Sequence, residues 1–460
     1  MANETKKFGI ADKVGYMFGD FGNDFTFILS SMFLLKFYTD VMGVSAGLVG
    51  LMMMAARFVD AITDVTMGQI ADRSKPTAKG KFAPWLRRMC GPVAVASFLM
   101  YASWFQNMPM AFKIGWMFVT YILWGSVFYT SINIPYGSMA SAISPEPKDR
   151  ASLSTFRSMG SALAQMVIGV ILPLVVYYTD ANGNKALSGT KMTIAAGVCS
   201  VAAVVCYLLC YHLTTERVKV EQKTGKFSFK DLVQTLTKNK SLIGIVIAAL
   251  LLLLSALSLS TMTTYVYPNY FNNVAAQSIG GLVGTVIMLL CATFITKLAM
   301  KVGKKEISVF GCTLSAVIFF IAYVLQIKNV WVFVALYTVG SFGMAFFNMV
   351  VWAMITDVID DIEVRTGDRS DGTVYAIYSF ARKLGQACSS GLAGLLLSII
   401  GYTAATAFDP DVVQGIYNIT CLAPAIGFAL TALSLFFLYP LGKKKVEENV
   451  AALKAKRDNK

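Results

Sequence analysis

Asp60 and Asp64 stand four residues apart in the stretch ARFVDAITDVTMG, residues 56–68, and Arg57 precedes Asp60 by three. Spacings of three and four place all three side chains along one stripe of a helix. The surrounding residues are apolar, and a charge at the centre of a bilayer costs about 3 kcal/mol on insertion scales. Two adjacent carboxylates repel each other, and the repulsion is relieved by a cation between them or a proton on one of them. Such a pair of hard oxygen ligands suits Na⁺ or Li⁺, or titrates with H⁺, and either property can couple an ion gradient to movement of another solute. Thr63 on the same stretch, and Thr130 and Ser131 further along, offer further oxygens. Pro135 deprives the Ser131 carbonyl of its helical hydrogen bond and leaves it able to meet a polar partner. If the helix enters from the outside near residue 45, a rise of 1.5 Å per residue puts Asp60 about 22 Å deep, at or just below the middle of a bilayer. The alternative is a structural ion pair between Arg57 and Asp60. The second acid then needs its own partner, for which Lys383 is available.

Other charges recur in equally apolar company. GDFGNDF carries Asp20 and Asp24 at the same four-residue spacing, and Arg157 stands in a third apolar stretch. Arg382 and Lys383 are adjacent in GTVYAIYSFARKLGQACSSGLAG, about 100° apart around a helix. Of these two, Lys383 is expected on the ion side, about 16 Å from the cytoplasmic entry. A sugar ring has an apolar face that stacks on aromatic rings and a rim of hydroxyls that needs acids, amides and guanidinium groups. Asp24, Asn133 and Arg157, with Asp20 and Arg382 near them, supply the polar set, and Tyr129, Tyr136, Tyr375 and Tyr378 share the same helical stretches. At the cytoplasmic ends, Asp72 and Arg73 lie in GQIADRSKPTAKGKF, Asp357 and Asp360 in ITDVIDDIE, and Arg150 in the KDR of 148–150. These charges read either as ordinary solvated ends or as a gate of ion pairs that break and reform between two states.

The elements that must position these groups are membrane helices. Of 460 residues, 56 % are hydrophobic and 14 % charged, with a mean hydropathy of +0.60. Apolar runs of about 18 or more residues recur, as in polytopic helical membrane proteins. Twelve spans are expected, near residues 14–39, 45–71, 86–106, 112–142, 154–178, 190–213, 241–269, 277–300, 307–327, 329–359, 373–401 and 413–440. No cleaved leader is expected, because the first span is long and lacks a small-residue cleavage site. Of the 40 Lys and Arg, 31 fall in segments that share one side if the spans alternate, and four (Lys113, Lys185, Lys191 and Lys328) fall on the other. The remaining five, Lys36, Arg57, Arg157, Arg382 and Lys383, are counted within the spans, and Arg87, Arg88 and Lys297, at span ends, with the flanking segments. The bias places both termini in the cytoplasm of a cell membrane. It also assigns the net charge of +14 to lipid-facing loops rather than to nucleic acid. One histidine, no Ser/His/Asp spacing and no phosphate loop leave little basis for an enzyme, and the eight cysteines show no metal-ligand pairing.

The spans divide six and six around a charged linker: residues 1–213 and 241–440 form the halves, 214–240 the linker and 441–460 a basic tail. Phe229, Leu232, Val233 and Leu236 predict a short amphipathic helix in the linker. Two six-helix halves with a midplane site describe a major facilitator transporter, an all-α fold. A channel or receptor with twelve helices, or the same fold moving an amphiphilic, lipid-like molecule, are the alternatives.

Seven ordered motifs sharpen this: GDFGNDF, FYTDVMG, ARFVDAITDVTMG, GKFAPW, NIPYGSMASAIS, TDVIDDIE and YSFARKLGQA. Together, along nearly the whole chain, they resemble the glycoside–pentoside–hexuronide:cation symporters, the branch that includes melibiose and β-glucuronide permeases. The resemblance implies that Asp60 and Asp64 bind the coupling cation, that Lys383 lies beside them, and that Asp24 and Arg157 hold the sugar. It implies no cofactor beyond Na⁺, Li⁺ or H⁺, a small glycoside as the partner, and a chain that works as a monomer in the bilayer. Thr63 stands where melibiose permease has Asn, which leaves H⁺ open beside Na⁺. Asn133 replaces a sugar-binding Asp, Gly137 a Trp and Asn23 a Lys, so the sugar pocket differs from that of melibiose permease. Arg157 and Arg382 suit a uronate, and a neutral β-xyloside is the alternative.

Overall fold

A computed structural model describes residues 7–218, 236–237, 239–367 and 371–458. The helix expected in the linker therefore lies largely outside the described residues. What is described is helical apart from one short hairpin, and it divides into two units. The first comprises Met1–Thr224 with Gly394–Val412, the second Gly225–Ala393 with Val413–Lys460.

In the first unit α1 (Ile10–Leu29) continues through a π turn, Ser30–Leu34, into α2 (Leu35–Asp40). After a short corner come α3 (Ala46–Arg73) and α4 (Ala83–Leu99). α5 (Met110–Ile122) passes through a second π turn, Leu123–Tyr129, into α6 (Thr130–Ile143). α7 (Pro147–Met166) likewise passes through Val167–Ile171 into α8 (Leu172–Val176), and α9 spans Gly189–Leu213. Between α8 and α9 the antiparallel strands β1 (Tyr177–Thr179) and β2 (Lys185–Leu187) form the hairpin that an all-α reading did not anticipate. Asp180 organises its turn by accepting from the N–H groups of Asn182 and Asn184, both at 2.8 Å.

The second unit holds α10 (Lys240–Tyr265), α11 (Val274–Val302), α12 (Lys304–Leu325), α13 (Val330–Thr366), α14 as far as Ala393 of Asp371–Ile399, α15 (Pro410–Phe437) from Val413, and α16 (Lys443–Asp458). Side-chain oxygens cap several helix starts, as the exposed first N–H groups of a helix require. Asn273 accepts from Ala276 N–H at 3.0 Å and Asn329 from Trp331 N–H at 2.9 Å. Its core is aliphatic and aromatic throughout, with Phe319, Phe346, Phe347, Met354 and Phe428 buried together.

Among the described residues, eight helical stretches are long and apolar enough to cross a membrane. The other four expected spans fall on α1, α4, α11 and α14. α1 carries Asp12, Asp20 and Asp24, α4 is 17 residues long, and α14 carries Arg382 and Lys383. α3 shows how such a helix is arranged. Phe58, Val59 and Ile62 are exposed, Ile62 by 71 %, while Asp60 is 8 % exposed. The apolar side faces outward and the acid inward, the reverse of a helix in water.

Candidate functional site

Two pairs of helices in the first unit carry polar side chains in matching steps. The first pair is α3 with the π turn and α6. Ser126 Oγ donates to Asp60 Oδ1 at 2.5 Å, and Thr130 Oγ1 donates to Asp64 Oδ1 at 2.9 Å. The offset is 66 residues in both rungs, so the two helices run in the same direction and in register. Four residues along each advance the contact by about 6 Å. Arg57 Nη1 donates to the other Asp60 oxygen at 3.3 Å, and its guanidinium lies over the Phe27 ring of α1 at 5.1 Å. Both oxygens of Asp60 are therefore occupied by donors. Gly125 lies against the same carboxylate, and its carbonyl accepts from Thr130 Oγ1 at 3.1 Å.

Thr63 and Ser131, expected in the same oxygen set, direct their hydroxyls elsewhere. Thr63 Oγ1 donates to the Asp60 carbonyl at 3.1 Å, and Ser131 Oγ to the Val127 carbonyl at 2.6 Å. Each satisfies a carbonyl of its own helix, the common resort of a hydroxyl in an apolar helix. Ser126, absent from the sequence reading, takes their place. The signal for it was available, since Ser126 precedes Thr130 by the same four residues that separate the two acids.

The second pair is α1 with α7. Arg157 Nε donates to Asp20 Oδ1 at 2.9 Å, and Ser161 Oγ donates to Asp24 Oδ2. Both rungs share an offset of 137 residues, so these helices are also parallel and in register. Gly160 sets their distance. A Cβ there would lie 2.3 Å from the Met17 carbonyl, so α7 approaches α1 more closely than any other residue permits. The Arg157 guanidinium lies 5.3 Å from the centre of the Tyr136 ring, which stacks on Tyr16 at 4.5 Å. Tyr136 OH donates to the Tyr16 carbonyl at 2.7 Å. Asp20 is buried, whereas the Arg157 side chain is 41 % exposed. Tyr207 OH donates to Asn23 Oδ1 at 2.9 Å. Tyr129 stacks on Phe27 at 6.0 Å, so Phe27 stands between the two pairs of helices. Asn133 is half-buried on α6.

In the second unit Arg382 lies 5.4 Å from the Trp352 ring and 5.9 Å from the Tyr378 ring, which pack edge to face at 4.8 Å. Cation–π contacts of this kind hold a guanidinium in apolar surroundings. Lys383 is half-buried next to it on α14, and the Tyr375 side chain lies outside the described residues.

The charges assigned to a cytoplasmic gate have local partners. Lys304 Nζ contacts both oxygens of Asp357, at 2.6 and 2.8 Å. Arg150 donates to the Ser144 and Pro145 carbonyls at 3.0 and 2.7 Å, closing its own loop. Arg73 is exposed at the end of α3, Asp360 is half-buried, and the Asp72 side chain lies outside the described residues. Two further acids, Asp361 of the same cluster and Glu216, are more heavily used. Asp361 accepts from Ser241 at 2.9 Å and Asn449 at 3.2 Å and pairs with Arg365 at 3.0 Å. Glu216, just after α9, accepts from the N–H groups of Lys81, Phe82 and Ala83 at 2.6 to 2.9 Å, ahead of α4. Burial pushes its carboxyl above the ordinary range, and the backbone donors pull it back.

Comparison with known proteins agrees with this architecture. Residues 15–443 match the family described as MFS/sugar transport protein. The glucuronide carrier protein homolog of Escherichia coli is 30 % identical, over 96 % of this chain and 94 % of its own. The isoprimeverose transporter of Lactiplantibacillus pentosus is 29 % identical, over 96 % of this chain and 93 % of its own. Among solved structures, a D-xylose-proton symporter superimposes with a TM-score of 0.64 at 14 % identity, covering 94 % of this chain and 96 % of that one, a likeness of fold. The chain belongs to the MFS/sugar transport protein family, within its glycoside–pentoside–hexuronide:cation symporter branch.

Proposed function

We propose that the chain imports a glycoside together with a cation by alternating access. The observation that carries this reading is the pair of in-register acid ladders, one on α3 and one on α1, within a single unit. On α3, Asp60 and Asp64 with Ser126 and Thr130 supply clustered hard oxygens, the donor set that Na⁺ or Li⁺ prefers and that can also take up H⁺. In this reading Arg57 balances Asp60, and the travelling ion is shared by the two carboxylates. On α1 and α7, Asp20, Asp24 and the half-exposed Arg157 gather charged hydrogen-bonding groups, and Tyr129 and Tyr136 are the aromatic rings assigned to the same region. That combination fits the hydroxyl rim and apolar face of a sugar, and Arg157 suits a uronate in forked geometry.

The cation raises sugar affinity, and the sugar raises cation affinity by the same factor, because such coupling is reciprocal. Lys383 and Arg382 are the basic groups of α14 assigned to this cycle. Twelve spans in two six-helix halves, both termini in the cytoplasm, a cell-membrane location and a monomeric working unit complete the proposal. The relatives' printed names, a glucuronide carrier homolog and an isoprimeverose transporter, support a glycoside as substrate. No catalytic step and no cofactor are invoked.

The test is uptake into proteoliposomes with a panel of uronides, xylosides and hexosides, each driven by Na⁺, Li⁺ or H⁺ alone. One glycoside accumulating with one driving ion is the expected result. Equilibration of solutes without accumulation under every gradient would mean a channel, and no movement at all would remove the transport reading.

A further inference from the structure

Lys36 is one of the most deeply buried charges in the protein, 1 % exposed at the end of the first span. Its Nζ lies 2.8 Å from Asp40 Oδ2, four residues on in α2. The second partner comes from far along the chain: Lys36 Nζ donates to Tyr402 OH at 3.1 Å, and that hydroxyl donates to Asp40 Oδ1 at 2.8 Å. Thr39 Oγ1 reaches the same Asp40 oxygen at 2.9 Å. Lys36, Asp40 and Tyr402 thus close a triangle in which each group touches the other two.

Tyr402 lies in the corner between α14 and α15. The stretch 394–412 belongs to the first unit, although the helices it joins belong to the second up to Ala393 and from Val413. The corner is well built. Gly401 takes φ +73, a left-handed conformation that a side chain would strain, and Tyr402 N–H donates to the Leu397 carbonyl at 3.0 Å. Thr406 Oγ1 donates to the Gly401 carbonyl at 2.7 Å. At the start of this stretch Gly394 sits backbone to backbone on α3: a Cβ there would lie 2.4 Å from the Ala46 carbonyl and 2.8 Å from Gly50 Cα.

A permanent seam in an apolar setting needs no such triangle. Replacing a buried ion pair with apolar groups of similar volume is often neutral or stabilising, and the best-attested use of a buried polar set is to specify one arrangement against another. Here the polar set joins residues 366 and 362 positions apart and depends on all three members being in place. We propose that Lys36, Asp40 and Tyr402 form a polar latch that holds the α14–α15 corner on the first unit and opens and recloses once in each transport cycle. The cycle itself rests on the transport reading above, and the charge bias of the loops places the latch on the outer face.

The structure supplies its own test. A Cβ on Gly47 would lie 3.3 Å from Ser398 Cβ, close to the spacing of a disulfide. In the double variant Gly47→Cys/Ser398→Cys, oxidation should stop uptake in proteoliposomes and reduction should restore it, so the reduced form controls for folding. Full uptake by protein shown by mass spectrometry to be crosslinked would overturn the latch. A second measurement needs no substrate. Ala407 is 4 % exposed in the corner, and Ala407→Cys reports its lifting through labelling by a soluble maleimide. Tyr402→Phe should speed that labelling at least roughly tenfold, the value of one hydrogen bond to a charged partner. Labelling unchanged by Tyr402→Phe would also overturn the latch. If the wild type moves no glycoside, the transport reading fails, and the labelling rates still decide whether the triangle holds the corner.

Discussion

The two ladders of the first unit are built alike and charged differently. Each has two acids four residues apart, facing a parallel helix at a constant offset, with a serine on one of its rungs. On α3 the arginine that balances the first acid belongs to the same helix, so the pair moves as one piece. On α1 the arginine comes from α7 and bridges two helices, with part of its side chain open to solvent. An arginine of the first kind neutralises its acid within one helix. An arginine of the second kind links the helices and still has surface to offer a ligand. The comparison teaches that neighbouring acid pairs of identical spacing acquire different chemistry from where their counter-charge is anchored.

The largest expected effect strikes the α3 ladder alone. Asp64→Asn should remove gradient-driven accumulation altogether while glycoside binding, measured by isothermal titration or fluorescence, persists. Accumulation at the wild-type level would assign the ion elsewhere. Next comes the bridging arginine. Arg157→Ala should weaken glycoside binding by roughly 10- to 100-fold, about 1.5–3 kcal/mol for hydrogen bonds to a charged group, and Arg157→Lys should restore only part of it.

The two serines then provide a crossed comparison. Ser126→Ala should weaken the dependence of uptake on the driving ion, and Ser161→Ala the dependence on glycoside, each by about 1 kcal/mol or roughly fivefold. Equal shifts of both dependences in either variant would erase the division between the ladders. The smallest effect lies outside both. Glu216→Gln keeps an acceptor for the N–H groups ahead of α4 but loses the charge, and should cost about 1 kcal/mol in a thermal melt while leaving ion and glycoside dependence unchanged.

Much of this arrangement was legible in the sequence, and the rest depended on register. Asp20, Asp24, Asp60, Asp64, Arg57 and Arg157 stand out because a charge in an apolar helix demands a partner. Their hydroxyl partners do not stand out in that way. Ser126 and Ser161 look like the many small residues that let membrane helices pack closely. Thr63 and Ser131 looked better placed, yet both satisfy a carbonyl three or four residues back, which costs less than reaching across to a neighbour. Which hydroxyl faces an acid is set by how far one helix slides along another. That sliding is decided by contacts such as Gly160 on the Met17 carbonyl, a property of two segments at once. Eight of the expected spans were legible from hydropathy alone, whereas the hairpin at 177–187 was not, because two three-residue strands leave almost no periodic trace. Lys36 was visible as a charge in a span, but its partner Tyr402 lies 366 residues away.

The π turn at Leu123–Tyr129 makes the α3 ladder vulnerable to a change of length rather than of composition. Removing Val127 would leave Ser126, Thr130 and every other polar group in the chain. It would also turn all that follows on α6 by about 100° relative to Ser126, so that one rung meets its acid and the other faces away. Single-residue insertions and deletions inside this turn thus give a lineage an abrupt way to disconnect or retune the acid pair, where point substitutions offer only gradual ones.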